Sequence, residues 1–142
     1  MTDDDVRFLR RALELAISAR EGGNPPFGSL LVGGDGAVLV EERNSSVTDS
    51  DITAHPELKL ARWAGRELDP AAAAEATMYT SCQPCGMCAG AIERSGLGRV
   101  VFALSAEQLA ALKPPPVTGL GVRLDGPALP DEAAVPVEGY YP

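Results

Sequence analysis

The stretch Thr80-Ser81-Cys82-Gln83-Pro84-Cys85-Gly86-Met87-Cys88 decides how this chain folds. Just before it, Ala76 to Thr80 reads as a strand. Pro84 suits the first turn of a helix, where its fixed φ is pre-set and its missing N–H removes no intrahelical bond. That helix is predicted to run to about Ser95. Gly98 to Leu104 then reads as a fully buried strand, because Val100, Val101, Phe102, Ala103 and Leu104 leave no polar face. Strand, helix and strand in succession are the start of an alternating α/β pattern.

The flanks extend that pattern. Upstream, Thr2 is placed to N-cap a helix with an acidic first turn, whose core face is predicted from Val6, Leu9, Leu13, Ala16 and Ile17, with Gly22-Gly23 ending it. Asn24-Pro25-Pro26-Phe27 is a rigid loop. Strands are expected over Gly28 to Val32 and Ala37 to Glu41, joined by a hairpin turn at Gly33-Gly34-Asp35-Gly36. A polar loop over Arg43 to Ile52 leads to a helix starting near Thr53, carrying Leu58, Leu60, Ala61 and Trp63 until Gly65. An alanine-rich connection follows. Trp63 and Met78 are assigned to the core. Downstream, Ser105 caps a short helix that Pro114-Pro115-Pro116 terminates, and Val117 to Leu124 is expected to add an edge strand. The predicted fold class is α/β, a three-layer α/β/α sandwich around a mixed central sheet. A single domain over residues 1–142 is expected, with the Pro/Gly-rich segment 114–142 its least regular part.

Composition narrows the function. The chain has 142 residues, 45% of them apolar, enough for one continuous core. Its net charge of −8 comes from 20 acids against 12 bases. Such a surface repels a phosphate backbone, and Arg7, Arg10 and Arg11 read as the solvated face of the first helix. Polymeric nucleic acid is therefore not the expected partner. The apolar runs are too short to span a bilayer, so no membrane partner is expected. The start Met1-Thr2-Asp3-Asp4-Asp5 lacks the basic, then apolar, character of a signal peptide, which makes the cytoplasm the expected location. The three cysteines fall within seven residues, too close to staple distant parts of a secreted fold. Metal ligation is the better use for them.

A second motif, Thr53-Ala54-His55-Pro56-Glu57, holds the chain's one histidine at another predicted helix start. Cys85 in a first turn and Cys88 one turn later share a helix face. The unpaired N–H groups and the positive end of the helix dipole favour thiolates there. With His55 they form a tripod for zinc, one ion per chain, with the fourth tetrahedral position open for water or hydroxide. Such a site is formally neutral, so its acidity benefits from a neighbouring base, and Glu57 stands two residues from His55. Addition of hydroxide at an amidine-type carbon with loss of ammonia is the chemistry these groups suit. The competing reading adds Cys82 as a fourth ligand. That would close the site and make the chain a non-catalytic, zinc-stabilised binding module, although it leaves Glu57 without a purpose.

His-x-Glu followed by Pro-Cys-x-x-Cys resembles the signature of the cytidine deaminase-like superfamily. The resemblance takes in Pro26-Phe27-Gly28-Ser29, Asn44 and Cys88-Ala89-Gly90-Ala91-Ile92, and covers roughly residues 5–105. It is nearest to the guanine deaminase, cytosine deaminase and tRNA adenosine deaminase branch. By that resemblance His55, Cys85 and Cys88 bind zinc, Glu57 moves protons, Asn44 contacts the base or sugar, and Phe27 lines the pocket. Glu107, Glu138, Tyr140 and Tyr141 are further candidates for reading the substrate, the last three through a C-terminal tail that folds over the chain's own pocket or a neighbour's. The resemblance also implies a homodimer and a small-molecule substrate, with a tRNA adenosine deaminase as the alternative. Three positions depart from the family. Pro56 removes a backbone donor, Gln83 stands where a glutamate is common, and Leu104-Ser105-Ala106-Glu107 lacks an aspartate used to read the ring. With fewer buried partners to penalise a wrong ring, broad substrate tolerance is expected.

Overall fold

The computed structural model describes residues 1–114 and 121–142. Among the described residues four strands form one mixed sheet in the order β2-β1-β3-β4: β1 (Gly28–Val32), β2 (Val38–Arg43), β3 (Thr77–Cys82) and β4 (Arg99–Leu104). β1 is antiparallel to both neighbours, and β3 runs parallel to β4. The helices are α1 (Asp3–Glu21), α2 (Pro56–Glu67), α3 (Pro70–Glu75), α4 (Gly86–Ser95) and α5 (Ala106–Leu112).

Successive strand residues point to opposite faces, and here both faces are covered. Leu30 and Leu31 are adjacent and both fully buried. Leu30 packs with Tyr79 and Val101 against Phe8, Leu9 and Ala12 of α1. Leu31 packs with Met78 against Leu60, Ala61 and Ala64 of α2 and Ile92 of α4. Two cores on either side of one sheet make the three layers expected from the sequence, each buried leucine contributing about 1.5–3 kcal/mol.

The face of α1 that meets the sheet is rotated from the predicted stripe. Phe8, Leu9, Ala12, Ala16 and Ala19 are buried, whereas Leu13 and Ile17 are exposed. Close approach decides this. A Cβ built on Gly28 would lie 2.5 Å from the Ala16 nitrogen and 2.6 Å from the Ala12 carbonyl oxygen. The alanine side of α1 therefore rests directly on the start of β1. Gly28→Ala is expected to destabilise the protein by about 2–3 kcal/mol through backbone overpacking. A thermal melt reads this, and an unchanged midpoint would refute that seating of α1.

The N-terminus of α1 is tied to the far edge of the sheet by Asp5, only 2% exposed. Its carboxylate accepts two hydrogen bonds from the Arg99 guanidinium (2.9 and 3.0 Å), one from the Tyr79 hydroxyl (2.7 Å) and one from the Thr2 backbone N–H (2.9 Å). Arg99 above all, then Thr2 and Tyr79, hold the Asp5 carboxyl well below the usual range, and burial helps push the Tyr79 hydroxyl up to about 12. The stability this adds is present at neutral pH and lost on acidification, since the unfolded carboxyl regains its proton first.

Other boundaries move for local reasons. The alanine-rich connection is helix α3, capped by Asp69, whose carboxylate accepts from the Ala72 N–H at 2.8 Å, with Pro70 in the first turn. α2 starts at Pro56 rather than near Thr53, because Asp51 accepts from the Thr53 N–H (2.8 Å) and holds that segment in a turn. α4 starts at Gly86 rather than Pro84, and ends on Gly96 in the left-handed conformation (φ 82). β4 is not fully buried: among the described residues it is the sheet's edge, and Phe102 is 38% exposed. Trp63 is only half-buried beside the α2 core, while Met78 is fully buried. Of the expected strand at 117–124, residues 117–120 lie outside the described residues and 121–124 have no regular structure. Among the described residues no helix is long and apolar enough to cross a membrane.

Candidate active site

Both sequence motifs sit at helix N-caps that the sheet brings side by side. His55 is the N-cap of α2 and Cys85 that of α4, each in extended conformation, and neither side chain caps its own helix. Both are thereby free to point away from their helices. Cys85 is thus at the cap, not in the first turn. Cys88 lies one turn into α4 and is fully buried. α4 leaves the C-terminal end of β3 and returns to the parallel strand β4, so the site opens at the carboxyl end of the sheet, where α/β folds place their ligand crevices.

One ligand atom each from His55, Cys85 and Cys88 falls within a 4.8 Å group. His55 Nδ1 is 3.7 Å from Cys85 Sγ and 3.6 Å from Cys88 Sγ. Tetrahedral zinc with ordinary Zn–N and Zn–S bonds sets nitrogen and sulfur ligands about 3.6 Å apart. The donor set therefore fits zinc in spacing as well as in chemistry. Burial pushes the Cys88 thiol up, and the Glu57 carboxylate adds to this. A thiolate at Cys88 thus needs a cation beside it, which a metal held by the three groups supplies. Cys82 is not in the group: it ends β3, half-buried, with its thiol also pushed up by burial.

Glu57 occupies the first turn of α2, 6% exposed, next to Cys88. Burial raises its carboxyl above the usual range. Beneath it, the Ser29 hydroxyl stands 3.4 Å from Glu57 Oε1 and 2.7 Å from Thr80 Oγ1. Ser29 and Thr80 face each other across the β1–β3 pairing and are essentially inaccessible. Sequence reasoning assigned neither a role. The available signal was a hydroxyl at the start of Ser29-Leu30-Leu31-Val32, a run otherwise wholly apolar.

A cavity of about 740 Å³ opens above these groups, lined in part by Phe27, Asn44, His55, Cys82 and Leu104. A smaller recess of about 90 Å³ adjoins it, reaching Glu57 and Cys85 and sharing Phe27, His55 and Cys82. Asn44 is 1% exposed; its Oδ1 accepts from the Ser46 N–H and hydroxyl, both at 2.8 Å. That turn leaves the Asn44 amide N–H₂ as the donor available to the cavity. Phe27 also lines it, as the sequence suggested. Glu107, Glu138, Tyr140 and Tyr141 do not: Glu107 is exposed on α5, and the two tyrosines meet edge to face, centroids 5.0 Å apart, 77% and 72% exposed. Gln83 has a structural task, its Oε1 accepting from the Ala106 N–H at 2.9 Å and fixing the start of α5. Leu109, Arg20 and Lys113 line the cavity without having been singled out.

Residues 2–104 match the family described as the cytidine and deoxycytidylate deaminase zinc-binding region. A probable cytosine deaminase of Schizosaccharomyces pombe is 33% identical, covering 99% of this chain and 94% of that protein. A tRNA-specific adenosine deaminase of Haemophilus influenzae is 36% identical over 76% of this chain and 62% of its own length. The crystal structure of guanine deaminase from Bacillus subtilis superposes with a TM-score of 0.79 at 29% identity, over 99% of this chain and 94% of that one. The chain belongs to the cytidine deaminase-like family of zinc-dependent deaminases.

Proposed function

We propose that this zinc-dependent hydrolytic deaminase works on a small amino-substituted nucleobase, nucleoside or related heterocycle, with one zinc held by His55, Cys85 and Cys88. The observation that carries this is the buried Glu57 carboxylate beside the His55–Cys85–Cys88 cluster at the floor of an open cavity. A zinc held by these three residues would supply an activated water as nucleophile near neutral pH. Glu57 takes the proton released as water attacks the amine-bearing carbon and delivers it to the adjacent ring nitrogen; it then takes the second proton from the hydroxyl now on that carbon and passes it to the departing amine. Water is consumed, ammonia leaves, and the carbon keeps the oxygen as a carbonyl. Ser29 holds Oε1 of the carboxylate while these transfers occur. Asn44 donates from its amide to the substrate, and Phe27 packs on it.

A polymeric RNA substrate is disfavoured by the acidic balance of 20 acids against 12 bases, even though tRNA-specific relatives match the chain. By family likeness the working unit is a homodimer, which sizing chromatography reads directly.

The test is an ammonia-release screen across cytosine, guanine, adenine, their nucleosides, pterins and aminotriazines. Pro56 lacks one ring-reading donor, and Leu104-Ser105-Ala106-Glu107 lacks an aspartate, so comparable kcat/KM on three or more compounds is expected. A single substrate favoured by about 10⁴-fold would instead indicate dedicated hydrogen-bond partners.

A further inference from the structure

Two cations line the cavity above the proposed zinc site: Arg20 at the end of α1, and Lys113 just after α5, which also borders the recess at Glu57 and so stands where the two spaces meet. No carboxylate lines that outer cavity, in a chain where acids outnumber bases 20 to 12. Arg7, Arg11, Lys59, Arg99 and Arg123 each reach a carboxylate. Neither Arg20 nor Lys113 does among the described residues, which is equally true of Arg10, Arg43, Arg62, Arg66 and Arg94; what sets Arg20 and Lys113 apart is that they line one cavity without a carboxylate. The two therefore concentrate positive potential at one opening of an otherwise acidic protein.

The space is also larger than one ring requires. At about 740 Å³ the outer cavity lies in the range of sites for ligands of many atoms, whereas the recess at Glu57 is about 90 Å³. Apart from Asn44, His55 and Cys82, its remaining wall, including Pro25, Pro26 and Leu112, is apolar, so Arg20 and Lys113 are the cations that an anionic substituent would meet there.

We propose that Arg20 and Lys113 form an anion subsite, and that the substrate carries a phosphate or carboxylate distal to the amine it loses. The proposal rests on the deaminase reading for which end of the ligand sits at Glu57. The ring enters the recess; the anionic substituent stays at the mouth between the guanidinium and the ammonium. Arg20 offers a planar fork suited to either anion, and Lys113 a mobile point charge. Because both are solvent-exposed, their contribution is moderate and sensitive to salt.

The test is equilibrium binding to the zinc-loaded Glu57→Gln protein, which holds ligand without consuming it. Matched pairs are titrated calorimetrically: cytidine and guanosine against their 5′-monophosphates, and pterin against its carboxylate. The two kinds of pair distinguish phosphate from carboxylate. The anionic member of at least one pair is expected to bind about tenfold tighter at low salt, with the gap closing as salt rises. In the background of Arg20→Gln with Lys113→Gln that preference should fall to about one. Equal binding within every pair overturns the subsite, as does a preference that survives the double substitution. An RNA stem-loop binding more than about 100-fold tighter than the best monophosphate would show that the cations serve a polymer, and overturns it too. Turnover by the unsubstituted holoenzyme is scored separately. An anion preference without ammonia release from any compound would sink the deaminase reading and leave the subsite standing.

Discussion

Glu57→Gln is expected to keep the zinc and the fold while lowering kcat by about 10⁴-fold, the upper range for a general acid–base group. Both protons of the attacking water are carried by one carboxylate, and glutamine can carry neither. The substitution preserves size, so the packing of the first turn of α2 is untouched. It also removes a buried carboxylate whose ionised form is disfavoured by desolvation. The zinc-free variant should therefore melt no lower than the unsubstituted chain. Loss of activity without loss of stability separates a chemical role from a structural one. Zinc content by elemental analysis, a melting curve and ammonia release together decide it. Near-normal turnover with a full complement of zinc would remove Glu57 from the mechanism.

Much of this site was legible because its residues are close in sequence and few in kind. One histidine and three clustered cysteines leave little freedom for where a metal goes. The helix starts at Pro56 and Gly86 were displaced by two or three residues, yet the ligands still converge, since the motifs lie at N-caps in either register. Legibility ended where contacts are long in sequence. Asp5 meets Arg99 across 94 positions, and nothing local to either announces the other. The stripe on α1 misled because Leu13 and Ile17 fit helical spacing as well as Phe8 and Ala12 do. What chose between the faces was the absent side chain at Gly28, a property of the partner strand. Val100 to Leu104 of β4 are apolar and read as fully buried, although among the described residues the strand lies at the edge of the sheet. Apolar sequence reports a tendency to be covered, and says nothing about which neighbour does the covering.

The cavity walls illustrate the same limit from the functional side. Phe27 and Asn44 were found through a family likeness, and both line the cavity. Arg20 and Lys113 belong to no local motif, and only the fold places the end of α1 beside the end of α5. The reverse failure is the group Glu107, Glu138, Tyr140 and Tyr141. Their chemistry suited a substrate-reading role, but the described cavities do not include them.

Cys88→Ser and Cys82→Ser are expected to differ sharply, although each exchanges one sulfur for one oxygen within six residues of the other. At Cys88 the change replaces a group that ionises beside zinc with a hydroxyl that stays protonated. Bound zinc should fall from about one per chain to a small fraction of that at neutral pH. The stabilisation that zinc supplies by binding only the folded state should vanish with it, about 4 kcal/mol when free zinc is a thousandfold above its Kd. The melting temperature of Cys88→Ser should then stop responding to a chelator. Cys82 sits at the end of β3, outside the cluster formed by His55, Cys85 and Cys88. Its serine variant should keep one zinc, a chelator-sensitive melt and most of the ammonia release. Should Cys82→Ser lose the metal and unfold, four protein ligands would close the zinc. No position would then remain for water, and Glu57 would have no proton to accept. Elemental analysis of both variants, side by side, distinguishes an open catalytic tripod from a closed structural knot.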